Sequence, residues 1–186
     1  MEEAEKEISL AVELDPGSQG ILKDKGIFYY YSRQYEKGID MALMTLELHP
    51  SFYIAHRLLS LCYERKQDYP AAITHNQLWG NGTGNKWKTD TGLAQIYASS
   101  GRKVDARKIL ESINTEEFLG GNDYRGVALV YTALEDFDNA FEWLIKSYNM
   151  HEESLCSIKV DPKLDGLRSD PRFNELLQKV RLAQTS

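Results

Sequence analysis

The stretch TGLAQIYASSGRKVDARKILESI, residues 91–113, decides the fold. Leu93, Ala94 and Tyr97 fall on one helical stripe and Ala106 and Leu110 on a second, so the spacing predicts helices over 89–99 and 104–113. A step of 34 residues in either direction meets the same residue types. Tyr97 aligns with Tyr29, Tyr63 and Tyr131, and Ala106 aligns with Ala4, Gly38, Ala72 and Ala140. Ala94 aligns with Gly26, Ser60 and Ala128. Tyrosine is 11 of 186 residues, so three further matches at one offset arise by chance roughly once in 5,000 trials. The chain is built from a repeat.

Each repeat reads as two helices. Residues 21–31 pair with 35–48, 124–134 pair with 137–148, and 54–66 precede a helix opening at Asp68, Tyr69 and Pro70. In the 54–66 segment Ile54, Leu58, Leu61 and Cys62 lie at helical spacing, and Ser51 is expected to cap it after Pro50. No alternating apolar and polar run is bounded by hairpin turns, so no strand is required. The small-residue columns have a steric cause. Two helices approach closely only where one presents Gly, Ala or Ser to the large side chains of its neighbour. Tyr in the third column supplies bulk and leaves a hydroxyl for a polar partner.

Composition removes several classes of function. The chain has 28 acidic and 22 basic residues, a net charge of −6, and is 42% hydrophobic. That is too apolar for a disordered chain and too acidic for a broad phosphate-binding surface, so direct nucleic-acid contact is not expected. No run of about 18 apolar residues is present and the acidic start MEEAEKEISL is no signal peptide, so no membrane contact and a cytoplasmic location are expected. Cys62 and Cys156 stand far apart in sequence and form neither a disulfide framework nor a zinc pair.

The columns resemble the tetratricopeptide repeat family. Its 34-residue consensus carries Trp, Leu, Gly, Tyr, Ala, Phe, Ala and Pro at positions 4, 7, 8, 11, 20, 24, 27 and 32. With repeats at 19–52, 53–86, 87–120 and 121–154, the first has Gly26, Tyr29, Gly38 and Pro50. The third has Leu93, Ala94, Tyr97, Ala106 and Leu110, and the fourth Ala128, Tyr131, Ala140 and Leu144. The second keeps Leu59, Tyr63 and Ala72 but departs at Asn76, Trp79 and Gly84. The resemblance implies an all-α, right-handed α-solenoid of antiparallel helix pairs, one array over 1–186.

Residues 155–186 would form its C-terminal cap, with a last helix from Asp170 and Pro171 to about Leu182. The run from Ala140 through Lys159-Val160-Asp161-Pro162 to Phe173 looks like the end of many bacterial tetratricopeptide proteins. In those, such arrays follow winged-helix, serine/threonine kinase or adenylate cyclase domains. Residues 1–18 match only a second helix, with Ala4, Ile8, Ala11 and Pro16 in register. The chain is therefore expected to be a fragment of a longer protein, or to self-associate through this open N-terminal end.

By the same resemblance, the first helix of each repeat lines a concave groove. Its positions here are Lys23, Ile27 and Tyr30; Arg57, Leu58, Leu61 and Glu64; Lys88, Thr91 and Gln95; Asn122, Arg125, Leu129 and Thr132. Lys23, Tyr30, Arg57, Leu61, Lys88, Gln95 and Arg125 are the expected partner-binding residues. The excess of cations suits an acidic or C-terminal peptide segment. The carboxylate clamp of chaperone-binding members does not fit, because Ile27, Leu58 and Gly92 stand where its polar residues belong.

Chemistry finds no other foothold. The Gly-rich run 80–86 lacks the Gly-Lys-Ser/Thr ending and leading strand of a phosphate loop, and reads as a long turn between repeats. Asn81-Gly82-Thr83 is a glycosylation triplet, relevant only to a secreted protein. His49, His56, His75 and His151 show no metal-ligand spacing. Cys62 reads as a small buried hydrophobe and Cys156 as exposed. The expectation is a non-enzymatic interaction scaffold without cofactor or metal. The alternative is a sensing or self-association module of a larger signalling protein, either a transcription regulator or a kinase or cyclase.

Overall fold

The computed structural model describes residues 2–113 and 123–181. Among these, all regular structure is helical and no strand occurs. The chain divides into two compact units, Met1–Asn85 and Lys86–Ser186.

The first unit contains α1 (Glu2–Leu14), α2 (Gln19–Tyr31), α3 (Tyr35–Leu48), α4 (Ile54–Arg65) and α5 (Tyr69–Thr83). Each helix packs on the next in sequence, and α2 also packs on α4. Its core gathers Tyr30, Ile39, Ala42, Ala55, Leu58, Leu59 and Cys62. The close approach of α2 and α4 explains Gly26, where a methyl group would overlap the Leu58 side chain.

The second unit contains α6 (Lys86–Ser99), α7 (Lys103–Ile113), α8 (Tyr124–Ala133) and α9 (Phe137–Asn149). Two 3₁₀ turns, Glu153–Ser157 and Pro162–Leu167, and α10 (Pro171–Lys179) complete it. α6 packs on α7 and on α8, and α8 packs on α9. The second 3₁₀ turn lies on α8, and α10 on α9. Ala94, Ala106, Ala128 and Ala140, the small residues of the repeat, are fully buried in this core.

The sequence repeat is a repeat of geometry. In four helix pairs the amides of Gln34, Asp68, Arg102 and Asp136 donate to the carbonyls of Tyr29, Tyr63, Tyr97 and Tyr131 over 2.8–3.0 Å. The residue before each donor, Arg33, Gln67, Gly101 and Glu135, takes φ of 62°, 64°, 83° and 63°. A left-handed residue followed by a six-to-one hydrogen bond is the motif that satisfies the last carbonyls of a helix. The chain then re-enters a helix at once, with Asp68 and Asp136 accepting from the amides of Ala71 and Asn139 as N-caps.

Three local expectations need correction. Ser51 does not cap α4: the N-cap is Tyr53, without a side-chain hydrogen bond. Its amide donates instead to the Ser51 carbonyl at 3.0 Å, because the turn after α3 tightens before α4 begins.

The run 80–86 is not a long turn. α5 continues to Thr83, and Gly84, at φ 66°, ends it with its amide on the Gly80 carbonyl. The Tyr53 ring lies so close over Gly82 that any Cβ there would overlap it, and the Thr83 hydroxyl donates to the Trp79 carbonyl. Packing of an aromatic ring offsets the poor helix propensity of the glycines.

Lastly, α10 ends at Lys179, with Val180 as its C-cap. Leu182, named as its limit, lies outside the described residues, as does Asn122.

Candidate functional site

One column of the repeat organises the site. Lys23, Arg57, Thr91 and Arg125 are separated by 34 residues each and stand at the same point of α2, α4, α6 and α8. Within each unit the two helices that carry them pack together.

In the second unit this column is filled from within the chain. Arg125 donates through Nη2 to the Asp161 carboxylate, with the two side chains only 13% and 4% exposed. Thr91 donates to the carboxylate of Asp123. Asp161 also accepts from the Lys163 amide at 2.9 Å and so caps the second 3₁₀ turn. The Lys163 ammonium, itself buried, donates to the Oε1 of Gln95. Arg168 fastens the same segment from outside, donating to the Lys159 carbonyl at 2.7 Å and the Asp161 carbonyl at 3.0 Å. Ile158, Leu164 and Leu167 anchor it in the core with no exposure. Residues 158–168 thus pack as a plug on the face of α6 and α8.

The same end of α8 is capped from a distance. The Glu152 carboxylate accepts from the amides of Tyr124 (3.1 Å) and Arg125 (2.9 Å) and from the Ser147 hydroxyl. Carboxylates favour helix N-termini, where amides lack intrahelical partners and the dipole is positive.

In the first unit Lys23 is half-buried on α2 and pairs with Asp24 at 2.9 Å. Arg57 is half-buried on α4, its guanidinium 4.8 Å above the Trp79 ring. Leu61, one turn further along α4, is half-buried beside the core. These three present cations and an apolar side chain at the surface of packed helices.

Two expected binding residues are interior instead. Tyr30 is 2% exposed, its ring 5.3 Å from that of Tyr31 and 6.0 Å from that of Tyr35. It faces the seam with α3 and α4, so it is a core residue. Gln95 is 4% exposed and holds Lys163. Lys88 is exposed near the start of α6. Arg125 is nearly buried on α8, and its partner is Asp161.

A second cluster was not anticipated. His56 and His75 meet between α4 and α5 with Nδ1 atoms 3.0 Å apart, one donating to the other. Tyr63 stacks on His75 at 5.5 Å. Burial holds both imidazoles below the usual histidine range, and His56 lowers His75 further. The contact ties α4 to α5. Among the described residues no three His, Cys, Asp or Glu side chains gather to hold a metal ion. Burial, then Glu36, pushes the Cys62 thiol up to about 12, so it is no nucleophile near neutral pH. No described helix is long and apolar enough to cross a membrane.

Comparison with models of known protein families finds no match, and no curated protein aligns with the chain significantly.

Proposed function

We propose that this chain is a non-enzymatic interaction scaffold of tetratricopeptide type, a right-handed superhelical stack whose first unit takes an acidic peptide segment of a partner protein. One observation carries the reading. The column that holds Lys23 and Arg57 in the first unit holds Arg125 in the second, and there it binds a carboxylate presented by a short peptide stretch, Asp161-Pro162-Lys163. The chain thus supplies in cis an example of the ligand chemistry that the repeat accommodates: a carboxylate on the cation, with apolar neighbours seated beside it. Since the plug already covers α6 and α8, the partner's segment goes to α2 and α4. Lys23 and Arg57 pair with its carboxylates, and Leu61 with an apolar side chain. Affinity comes from these few anchors, not from buried area.

The test is affinity capture from a lysate of the source organism with wild type and with the double variant Lys23→Glu, Arg57→Glu. Both baits must first give the same helical circular dichroism. A protein held by wild type and released by the variant identifies the partner. A carboxylate-rich peptide from it should then bind the isolated chain with a salt-dependent affinity. Equal retention on both baits refutes the assignment.

A further inference from the structure

The second helices of the first unit carry a feature that the α2–α4 face does not use. Leu10, Met44 and Leu78 follow one another at 34-residue steps on α1, α3 and α5. Leu14 and Leu48 repeat the pattern one turn later. At the third step stands Gly82, and the Tyr53 ring lies over it in place of a side chain. All six of these large side chains are between 38% and 78% exposed. The same step continued into the second unit meets Ser112 and Lys146, so the ladder belongs to the first unit alone. Single exposed leucines need no explanation, but a register-matched double row of apolar rungs does.

The surroundings of the ladder are strongly acidic. Glu7 and Glu13 flank Leu10 on α1, and Asp40 and Glu47 flank Met44 on α3, all four exposed. Together α1 and α3 carry eight carboxylates against two lysines, one of which, Lys37, pairs with Glu5 at 3.7 Å. α5 carries no charged residue. An apolar row whose α1 and α3 rungs stand among carboxylates is the complement of one ligand shape: a helix with an apolar stripe and flanking lysines or arginines.

We infer that the ladder Leu10–Met44–Leu78 with Leu14, Leu48 and Tyr53 docks a basic amphipathic helix of a partner protein. Other occupants fit less well. A second copy would bring carboxylates against carboxylates, and an anionic membrane surface would be repelled by the same rim. This surface lies on other helices than the α2–α4 face and stands or falls independently of it.

The probe is a fluorescein-labelled synthetic helix of about 18 residues, with leucines at i, i+3, i+4 and i+7 and lysines on its flanks, titrated against the full chain by anisotropy. Two comparison peptides keep its length. One has every lysine replaced by glutamate, and the other has the same composition scrambled to destroy the stripe. Saturable binding of the first, at least about tenfold weaker binding of both others, and a further loss of about tenfold in the double variant Met44→Gln, Leu78→Gln are expected. The charge is unchanged in that variant, so a loss reports the rungs. The variant Lys23→Glu, Arg57→Glu should keep the full preference for the striped over the scrambled probe, which separates this surface from the α2–α4 face.

Equal binding of the scrambled peptide would reduce the effect to net charge and overturn the inference. So would unchanged binding by Met44→Gln, Leu78→Gln, or no saturation at millimolar peptide. A dimer in sedimentation velocity that the same variant dissolves would assign the ladder to a second copy instead.

Discussion

Replacing Asp161 with alanine tests whether residues 158–168 close the face of α6 and α8. The substitution removes the acceptor of Arg125 and the cap of the second 3₁₀ turn together. Both partners are nearly buried, so Arg125 is left as a buried charge without its carboxylate. Breaking such a pair costs about 3–5 kcal/mol, and losing a cap costs about 1 kcal/mol. The small remaining exposure of Arg125 lets water recover part of this, which puts the expected loss at about 3 kcal/mol. Replacing both groups by uncharged ones, Asp161→Asn with Arg125→Met, removes the stranded charge. That double variant should lose less than Asp161→Ala does, and a full double-mutant cycle should give a coupling of about 2 kcal/mol.

Two compact units preclude treating a single denaturation curve as two-state, so the readout is native-state amide exchange. The amide of Leu164, bonded to the Asp161 carbonyl at 3.2 Å, reports the plug. The amide of Ala72, bonded to the Asp68 carbonyl at 3.0 Å, reports the first unit. Protection at Leu164 should fall by the stated amount while protection at Ala72 holds. A loss below about 1 kcal/mol at Leu164 would show the ion pair to be incidental. The segment would then be a displaceable flap, and α6 and α8 would return as partner-binding helices.

The turn column gives an opposed pair of substitutions. Gly101 has φ 83° and open space where a Cβ would be, so Gly101→Ala should cost only the left-handed strain, about 1 kcal/mol in urea unfolding of the second unit. Gln67→Gly at φ 64° should stabilise the first unit by up to about 1 kcal/mol; a loss there, or no effect of Gly101→Ala, would contradict the shared geometry.

His56 and His75 titrate below their unfolded value, so the first unit keeps their full contribution above about pH 6.5 and loses it as pH falls through the lowered values. The urea midpoint of the first unit should therefore drop between pH 7.5 and 5, and less so in His75→Gln; equal drops would remove the pair from the explanation. Native chain treated with iodoacetamide at pH 8 should be alkylated at Cys156 alone, since Cys62 is fully buried and its thiol is pushed up to about 12. Modification of both cysteines at similar rates would mean that α2, α3 and α4 open readily.

What the sequence discloses is whatever recurs at its own period. The Tyr and small-residue columns mark helix pairs because each pair solves the same local problem, close approach followed by a left-handed exit. Hence α3 matches its expected limits and most other helices fall within a few residues of theirs. Features that break the period are not legible in this way. The glycines of 80–84 spell a turn by propensity alone, yet Tyr53, 29 residues upstream, covers Gly82 and the helix persists to Thr83. Tyr30 offers a groove aromatic by position, but Tyr35 and the α3–α4 core claim its ring.

The plug shows most clearly where periodicity stops informing. Arg125 belongs to a column that holds a cation in three of the four repeats, while Asp161 lies 36 residues beyond it in a segment with no counterpart in the other repeats. A contact of that kind depends on how the chain returns over its own helices, and spacing within a repeat carries no information about the return. The column predicts a cation at a given face; only the fold says whether a carboxylate of the same chain already sits on it. Lys23 and Arg57 lie in the unit where no such segment follows among the described residues. The charge reversal at those two positions tests the proposed function, and the loss of Asp161 tests the architecture.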